Sequence, residues 1–421
     1  MIRSNANRTK GYLLLLKADE FLRDRCIAAA LRRYAGPVVG MAPTPAFPKN
    51  RFFDHVLKGD PHLATSALQA VQAFEKESGL RPDAVVPVTE MSLHPALEIA
   101  EHYRLPFLPR QCVDRARNKD LMKDAFLAAG LPTSKYRKFR DLQGLEKAVE
   151  ALGLPIIVKP CAAAHSIGVI RIDRREEIAS AFEYCRRGLD EVKDAWRIDN
   201  PWLQAEEYFD AEREVSVEVA AANGKIRVVT VTEKYLTPPP YFAEVGHMVP
   251  SLDADNVELK EMAVRACESL GIDRGVCHVE VRVNAAGKLS LIEVAARPGG
   301  DGIMDLVERA HGVNMYDLHI AAYLGVLEAL PEPPPLLGVS AIAFMQTKRG
   351  VVRRVSVSRD LPSEIVSLYV NKRPGERVGD SLNYDDRAGT VELFWPNERK
   401  NLGRRHLDAA DGLAREIFDV E

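Results

Sequence analysis

The chain has 421 residues, too many for one simple core, so two or three domains are expected. A formal net charge of −3 gives no reason to expect a nucleic-acid or anionic-membrane partner, although local basic residues can still bind phosphates. Six cysteines, at 26, 112, 161, 185, 267 and 277, show no CxxC or His/Cys metal spacing, so reduced thiols in a cytoplasmic protein are expected.

In chain order, Gly11 to Leu16 (GYLLLL) is a continuous apolar strand, far too short to span a bilayer and not followed by a small-residue cleavage site. Glu20 to Tyr34 is helix-like, Pro37 to Ala42 a second strand, Thr65 to Lys76 a helix, Asp83 to Thr89 a third strand and Pro95 to Tyr103 a helix. Strands alternating with helices predict a small doubly wound α/β unit over residues 1–113. It lacks GxGxxG after its first strand, which argues against a dinucleotide site and an oxidoreductase built on it.

Asp114 to Gly130 reads as one helix, stopped by Gly130 and Pro132. Pro155 to Lys159 is a short buried strand ending in a lysine. The loop Cys161 to Gly168 (CAAAHSIG) then leads to a strand over Val169 to Ile172. Small side chains leave backbone N–H groups accessible, so the loop can close over phosphates; with one glycine, it also reads as a compact hairpin loop. Glu176 to Arg187 is amphipathic. Trp202 to Phe209 and Glu214 to Glu218 return to strand, with acids suited to an adenine amino group or ribose hydroxyls, or simply to solvent.

Arg227 to Thr232 is a strand, and Tyr235 to Tyr241 a proline-rigid loop followed by Glu244 and His247. Val257 to Leu270 is an amphipathic helix leading into Gly275 to Met304. There Val276, His278, Glu280 and Arg282 alternate with Cys277, Val279, Val281 and Val283. Asn284 to Gly287 supplies a turn, and Leu289 to Ala295 a second strand. This hairpin brings Glu280 and Glu293 from adjacent strands, with Arg297 and Gly299, Gly300 and Gly302 just after. Such a set suits a site holding a divalent metal and a triphosphate together. A solvated surface hairpin is the competing reading. Helices follow over Asp301 to Ala310 and Val313 to Leu324, then a proline-rich linker, Leu330 to Leu336. Beyond it, strands are expected at Val339 to Gln346, Val352 to Val357 and Gly389 to Trp395, with helices near Leu361 to Tyr369 and Leu407 to Val420.

Taken together over about residues 110 to 325, these pieces resemble the ATP-grasp superfamily of carboxylate–amine ligases. The likeness is carried by NKDLM with Lys119, IIVKP with Lys159, CAAAHSIG, QAEEYF with Glu206, HVE with Glu280, and EVAAR with Glu293 and Arg297, in that order. The resemblance implies an α/β and α+β ATP-grasp fold. Its parts would be an N-terminal doubly wound α/β domain (1–113), an ATP-grasp domain (114–330) with a small lid lobe (about 133–208), and a C-terminal α+β lobe (331–421). It assigns Lys119, Lys159, Ser166, Glu206, Glu214, and Tyr208 or Phe209 by backbone, to ATP, and Glu280 and Glu293 to Mg²⁺, or Mn²⁺ in its place. Most of the superfamily has Asn two residues after the second carboxylate; here it is Ala295. That E-x-A-A-R pattern, with YFAEVGH, is similar to bacterial L-amino acid ligases, which join two unprotected amino acids. By that likeness Glu244, His247, Gly299, Gly300 and Asp301 face amino-acid substrate, Arg297 holds the acyl phosphate, and Arg297, Lys159 and His247 are the catalytic set. The expected activity is ATP-dependent, ADP-forming dipeptide synthesis in the cytoplasm, with small-molecule partners, no nucleic acid, no membrane, and a homodimer left open. An ATP-grasp carboxylase, a nucleotide-precursor ligase and a non-catalytic ATP-binding module are the alternatives.

Overall fold

The computed structural model describes residues 11–17, 24–44, 52–327, 329–330, 332, 335–358, 360–379 and 386–421. Residues 20–23 of the first expected helix and part of the expected linker lie outside them.

The amino-terminal unit is a parallel sheet in the order β3-β2-β1-β4, built from β1 (Gly11–Leu16), β2 (Val38–Ala42), β3 (His55–Lys58) and β4 (Arg81–Pro87). Helices α1 (Asp24–Arg33), α2 (Ala64–Ser78) and α3 (Leu93–Tyr103) complete it. Every residue of β1 is buried. Leu13 and Leu15 share a core with Cys26 and Ile27 of α1, while Tyr12, Leu14 and Leu16 share another with Val71 of α2 and Ile99 of α3. A sheet covered on both faces needs apolar side chains at consecutive positions, which is why this strand does not alternate. Strand β3 escapes sequence reading because only Leu57 of its four residues is buried.

The single helix expected over 114–130 is two helices, α4 (Arg110–Arg117) and α5 (Lys119–Ala128). Asn118, at φ −123° and ψ 111°, is extended and breaks the run. The break makes Lys119 the first residue of α5, where its backbone N–H donates to the Cys161 carbonyl at 2.9 Å.

A small antiparallel lobe follows, with strand order β5-β8-β6-β7. Its elements are β5 (Tyr136–Phe139), α6 (Leu142–Leu152), β6 (Ile156–Pro160), β7 (Ile170–Ile172), α7 (Ile178–Val192) and β8 (Leu203–Glu207). It has a core of its own, from Phe139, Leu145, Val158, Ile172 and Leu189 among others.

The remaining chain centres on an eight-stranded sheet ordered β13-β12-β9-β10-β11-β14-β18-β16. It runs through β9 (Arg213–Ala222), β10 (Lys225–Leu236), β11 (Glu244–Val249), α8 (Val257–Leu270), β12 (Gly275–Val283), β13 (Leu289–Ala295), α9 (Ile303–His311) and α10 (Met315–Tyr323). It continues through β14 (Val339–Met345), β15 (Gly350–Val355), β16 (Ile365–Val370), β17 (Arg377–Val378), β18 (Gly389–Trp395), α11 (Arg405–Ile417) and β19 (Phe418–Val420). Strand β14 pairs with β11, so backbone hydrogen bonds carry the sheet across the proline-rich junction. The helix expected near 361–369 is instead β16: Ile365, Val366 and Val370 are β-branched, and the segment pairs with β18. The last helix stops at Ile417, and Phe418–Val420 pairs with β15.

All six cysteines are free and buried. Native protein is therefore expected to resist a thiol reagent, with all six reacting only on unfolding; prompt labelling of the folded protein would contradict this packing.

Candidate active site

On β12, Cys277, Val279, Val281 and Val283 enter the core beneath the sheet, leaving His278, Glu280 and Arg282 on the opposite face. Strand β13 pairs antiparallel with β12, and Glu293 lies directly opposite Glu280. One cleft is lined by both carboxylates and by Lys119, Lys159, Ser166, Glu206, Phe209 and Glu214. Glu244, Arg297, Gly300 and Asp301 line it too. Segments far apart in sequence thus converge on one space between the small lobe and the large sheet.

Three expected residues stand outside that lining. The Tyr208 backbone N–H donates to the Pro155 carbonyl at 3.2 Å, and its ring lies under the Arg171 guanidinium. Of the two aromatic residues proposed to read a base by backbone, Phe209 is the one in the cleft. Gly299 leaves no room for a side chain: a Cβ there would come within 3.1 Å of His278 Nδ1 and 3.0 Å of Met304. His247 is fully buried, not on a loop but on β11.

The strand explains how Glu244 and His247 still meet. Positions i and i+3 of a regular strand point to opposite faces, but the β10–β11 register shifts between Tyr235/Gly246 and Leu236/Glu244. This bulge turns Glu244 to the His247 side, with His247 Nε2 3.8 Å from Glu244 and 3.6 Å from Asp301.

Buried charges are paired throughout. Lys119 Nζ lies 2.9 Å from Glu293 and donates to the Ala163 carbonyl at 2.8 Å, tying the small-residue loop to the hairpin. Within that loop His165 and Ser166 both take positive φ. Lys234, at the end of β10, is buried and contacts Glu280, Glu244 at 2.8 Å and Glu214 at 3.1 Å. Burial alone would favour its neutral form, yet the three carboxylates raise its pKa well above the ordinary lysine value. Burial likewise opposes ionisation of Glu280, but Lys234 and His278 hold it well below the carboxylate range.

Glu206 lines the cleft with its carboxylate held by cations and an amide. Lys159 at 2.5 Å, Gln204 at 2.6 Å and Lys123 at 3.2 Å surround it. Desolvation is outweighed by Lys123 and Lys159, and its pKa falls to about 2. Lys123, deeply desolvated, drops to about 8 despite Glu206.

At the far end, Arg297 bonds Glu90 at 3.2 Å and the Pro298 carbonyl at 3.0 Å. Sequence reading missed Glu90, Lys123, Lys234, Arg282 and Arg387. Lys234 had the clearest signal, lying on the same face as Thr230 and Thr232 of a strand that runs to Leu236, four residues beyond its expected end.

Opposed carboxylates, flanking lysines and a small-residue loop share one cleft, and residues 152–305 match the ATP-grasp domain family. The chain is similar to alanine–anticapsin ligase of Bacillus subtilis, 28% identical over 266 residues, which cover 59% of this chain and 56% of that protein. The chain spans about half the length of the curated relatives it matches first. Its fold is shared with L-amino acid ligase from Bacillus licheniformis, at a TM-score of 0.77 and 20% identity, covering 99% of each chain. It is also shared with N5-carboxyaminoimidazole synthetase from Staphylococcus aureus complexed with ADP, at a TM-score of 0.69 and 16% identity, covering 96% and 98%. Among the described residues no helix is long and apolar enough to cross a membrane.

Glu206→Gln leaves two buried lysines facing each other, and is expected to lower the unfolding free energy by about 3–5 kcal/mol at neutral pH. In the wild type a carboxylate with a depressed pKa contributes stability above its usual range that is lost as pH falls toward about 2. In the variant Lys123 loses the carboxylate that raises its pKa, so it sheds its proton at lower pH than in the wild type, and the loss should shrink as pH rises. Urea denaturation across pH tests both, and equal stability of the two proteins at pH 7 would contradict the network.

Proposed function

We propose that the protein is an ATP-dependent carboxylate–amine ligase that activates one amino acid as an acyl phosphate and joins it to the amine of a second. The observation that carries this is the meeting of Glu280, Glu293, Lys119, Lys159 and Arg297 in one cleft. Phosphoryl transfer needs positioning and charge neutralisation more than covalent help from the protein, and these residue types supply both.

In this reading ATP lies with its base between Ile157 and Leu291, beside the Phe209 backbone, and its phosphates toward Lys119, Lys159 and the loop bearing Ser166. Glu214 faces the ribose. Glu206 acts indirectly, by holding Lys159 in place. Glu280 and Glu293 fit a hard divalent ion: they are opposed oxygen donors in the cleft whose present partners, Lys234 and Lys119, are cations. Bound there, Mg²⁺ would neutralise charge on the phosphates. Ala295 offers no further ligand. The units 1–113, 114–330 with its lid at about 133–208, and 331–421 would enclose the site.

A carboxylate oxygen of the first amino acid attacks the γ-phosphorus, the bond to the bridging oxygen breaks, and ADP leaves. The second amino acid's nitrogen attacks the acyl carbon and loses a proton, and the C–O bond breaks to release phosphate. Arg297 is oriented by Glu90 toward the negative charge that develops on the acyl oxygen. Glu244, Gly300 and Asp301 line the amino-acid end. Gly299 lets the backbone pass His278, and the fully buried His247 sits behind the wall, near Glu244 and Asp301 but beyond hydrogen-bond distance of both.

Incubation with Mg·ATP and amino-acid pairs is expected to give ADP, phosphate and dipeptide. Glu293→Gln and Arg297→Ala should each reduce amino-acid-dependent ADP formation by roughly 10²- to 10³-fold in folded protein. Wild-type rates in both variants would remove these residues from the mechanism. Turnover that depends on bicarbonate rather than on an amine would move the reading to a carboxylase.

A further inference from the structure

A lone buried carboxylate at Asp301 would select a cationic substrate side chain, but Asp301 is not alone. Arg387, which precedes β18 in the C-terminal part of the chain, reaches it with Nη1 to Oδ1 at 3.0 Å and Nη2 to Oδ2 at 2.7 Å. This is the two-point fit of a planar guanidinium to a carboxylate, and both residues are buried, at 5% and 8% exposed. The guanidinium lies 3.4 Å from the ring centre of Phe344, which fixes its plane. Asp301 takes a positive φ of 52°, a conformation that persists in an L-residue only where its surroundings hold it.

We propose that Asp301 and Arg387 form a self-neutralised pair that determines which acceptor side chains the cleft admits. The idea rests on the ligase reading above and names its acceptor class: amino acids with uncharged side chains. A cationic side chain would meet a carboxylate whose charge is already matched, with a guanidinium behind it. An anionic one would meet a guanidinium already satisfied. Either would lose its hydration without gaining a counter-ion, so both are rejected. Specificity therefore depends on the C-terminal part of the chain, which supplies half of the pair.

Glu244, His247 and Asp301 also lie close enough together to suggest a metal site, with ligand atoms within 4.8 Å of one another. That reading is weaker. Both Asp301 oxygens are already held by the Arg387 guanidinium, and the third member, His247, is fully buried.

The test is calorimetric titration of the full chain, saturated with Mg²⁺ and a non-hydrolysable ATP analogue, with L-alanine, L-methionine, L-lysine and L-glutamate. The wild type should bind the two uncharged amino acids at least about tenfold more tightly than the charged ones. Arg387→Met should gain lysine affinity by about tenfold or more, and Asp301→Asn should gain glutamate affinity by a similar factor. The double variant removes both charges, so it is the form least prone to misfold, and it should gain neither. Unchanged preferences in both single variants, or a lysine gain that persists in the double variant, would overturn the proposal. If Arg387→Met does not fold, the Asp301→Asn and double-variant titrations decide it alone. ADP formation with the same amino acids reads the ligase proposal separately. Shifted binding without turnover would remove the ligase and keep the selector, and turnover without shifted binding would do the reverse.

Discussion

Two carboxylates placed opposite each other on neighbouring strands repel unless cations stand beside them, and the whole cleft is organised around that constraint. The β12–β13 register sets Glu280 against Glu293. Lys119, brought by a helix that starts one residue after a break, answers Glu293, and Lys234, from the end of β10, answers Glu280. Replacing a partner in such a buried set costs far more than an exposed ion pair is worth, because the remaining charge has nowhere to go. The cleft is therefore internally balanced, and in the proposed complex the same lysines would face phosphates while the carboxylates face a cation.

The balance extends across the sheet because register places the charges in a row. Arg282, Glu214, Lys234 and His247 are cross-strand neighbours on β12, β9, β10 and β11. A one-residue slip in any of these pairs would turn the row into the core, so the valines packed beneath also fix the chemistry above. Glu90 from the N-terminal unit and Arg387 from the C-terminal part bring the remaining charges to Arg297 and Asp301. Each part of the chain thus supplies a counter-ion to a residue that another part presents.

Much of this was legible in the sequence where a residue's role is local. Alternation in GVCHVEVRV separates core from cleft without any tertiary knowledge, and the continuous burial of GYLLLL announces a covered strand. What could not be read depended on distant partners. Asn118 looked like one helical position among many, yet its extended backbone decides where Lys119 points. Glu244 and His247 were paired by spacing in a loop, whereas a bulge on a strand brings them together. Segment 365–370 was misread as a helix because an edge strand with only partial burial shows little alternation. Arg387 lies 86 positions from Asp301, and nothing in either neighbourhood names the other.

In the proposed ligase this cleft would phosphorylate a carboxylate and then release that same oxygen with the phosphate. This is tested most directly by supplying an amino acid labelled with ¹⁸O in its carboxylate, together with an acceptor and Mg·ATP, and weighing the phosphate formed. Activation through an acyl phosphate predicts one ¹⁸O atom transferred to inorganic phosphate for each amide bond made. Unlabelled phosphate accompanying peptide formation would contradict the account.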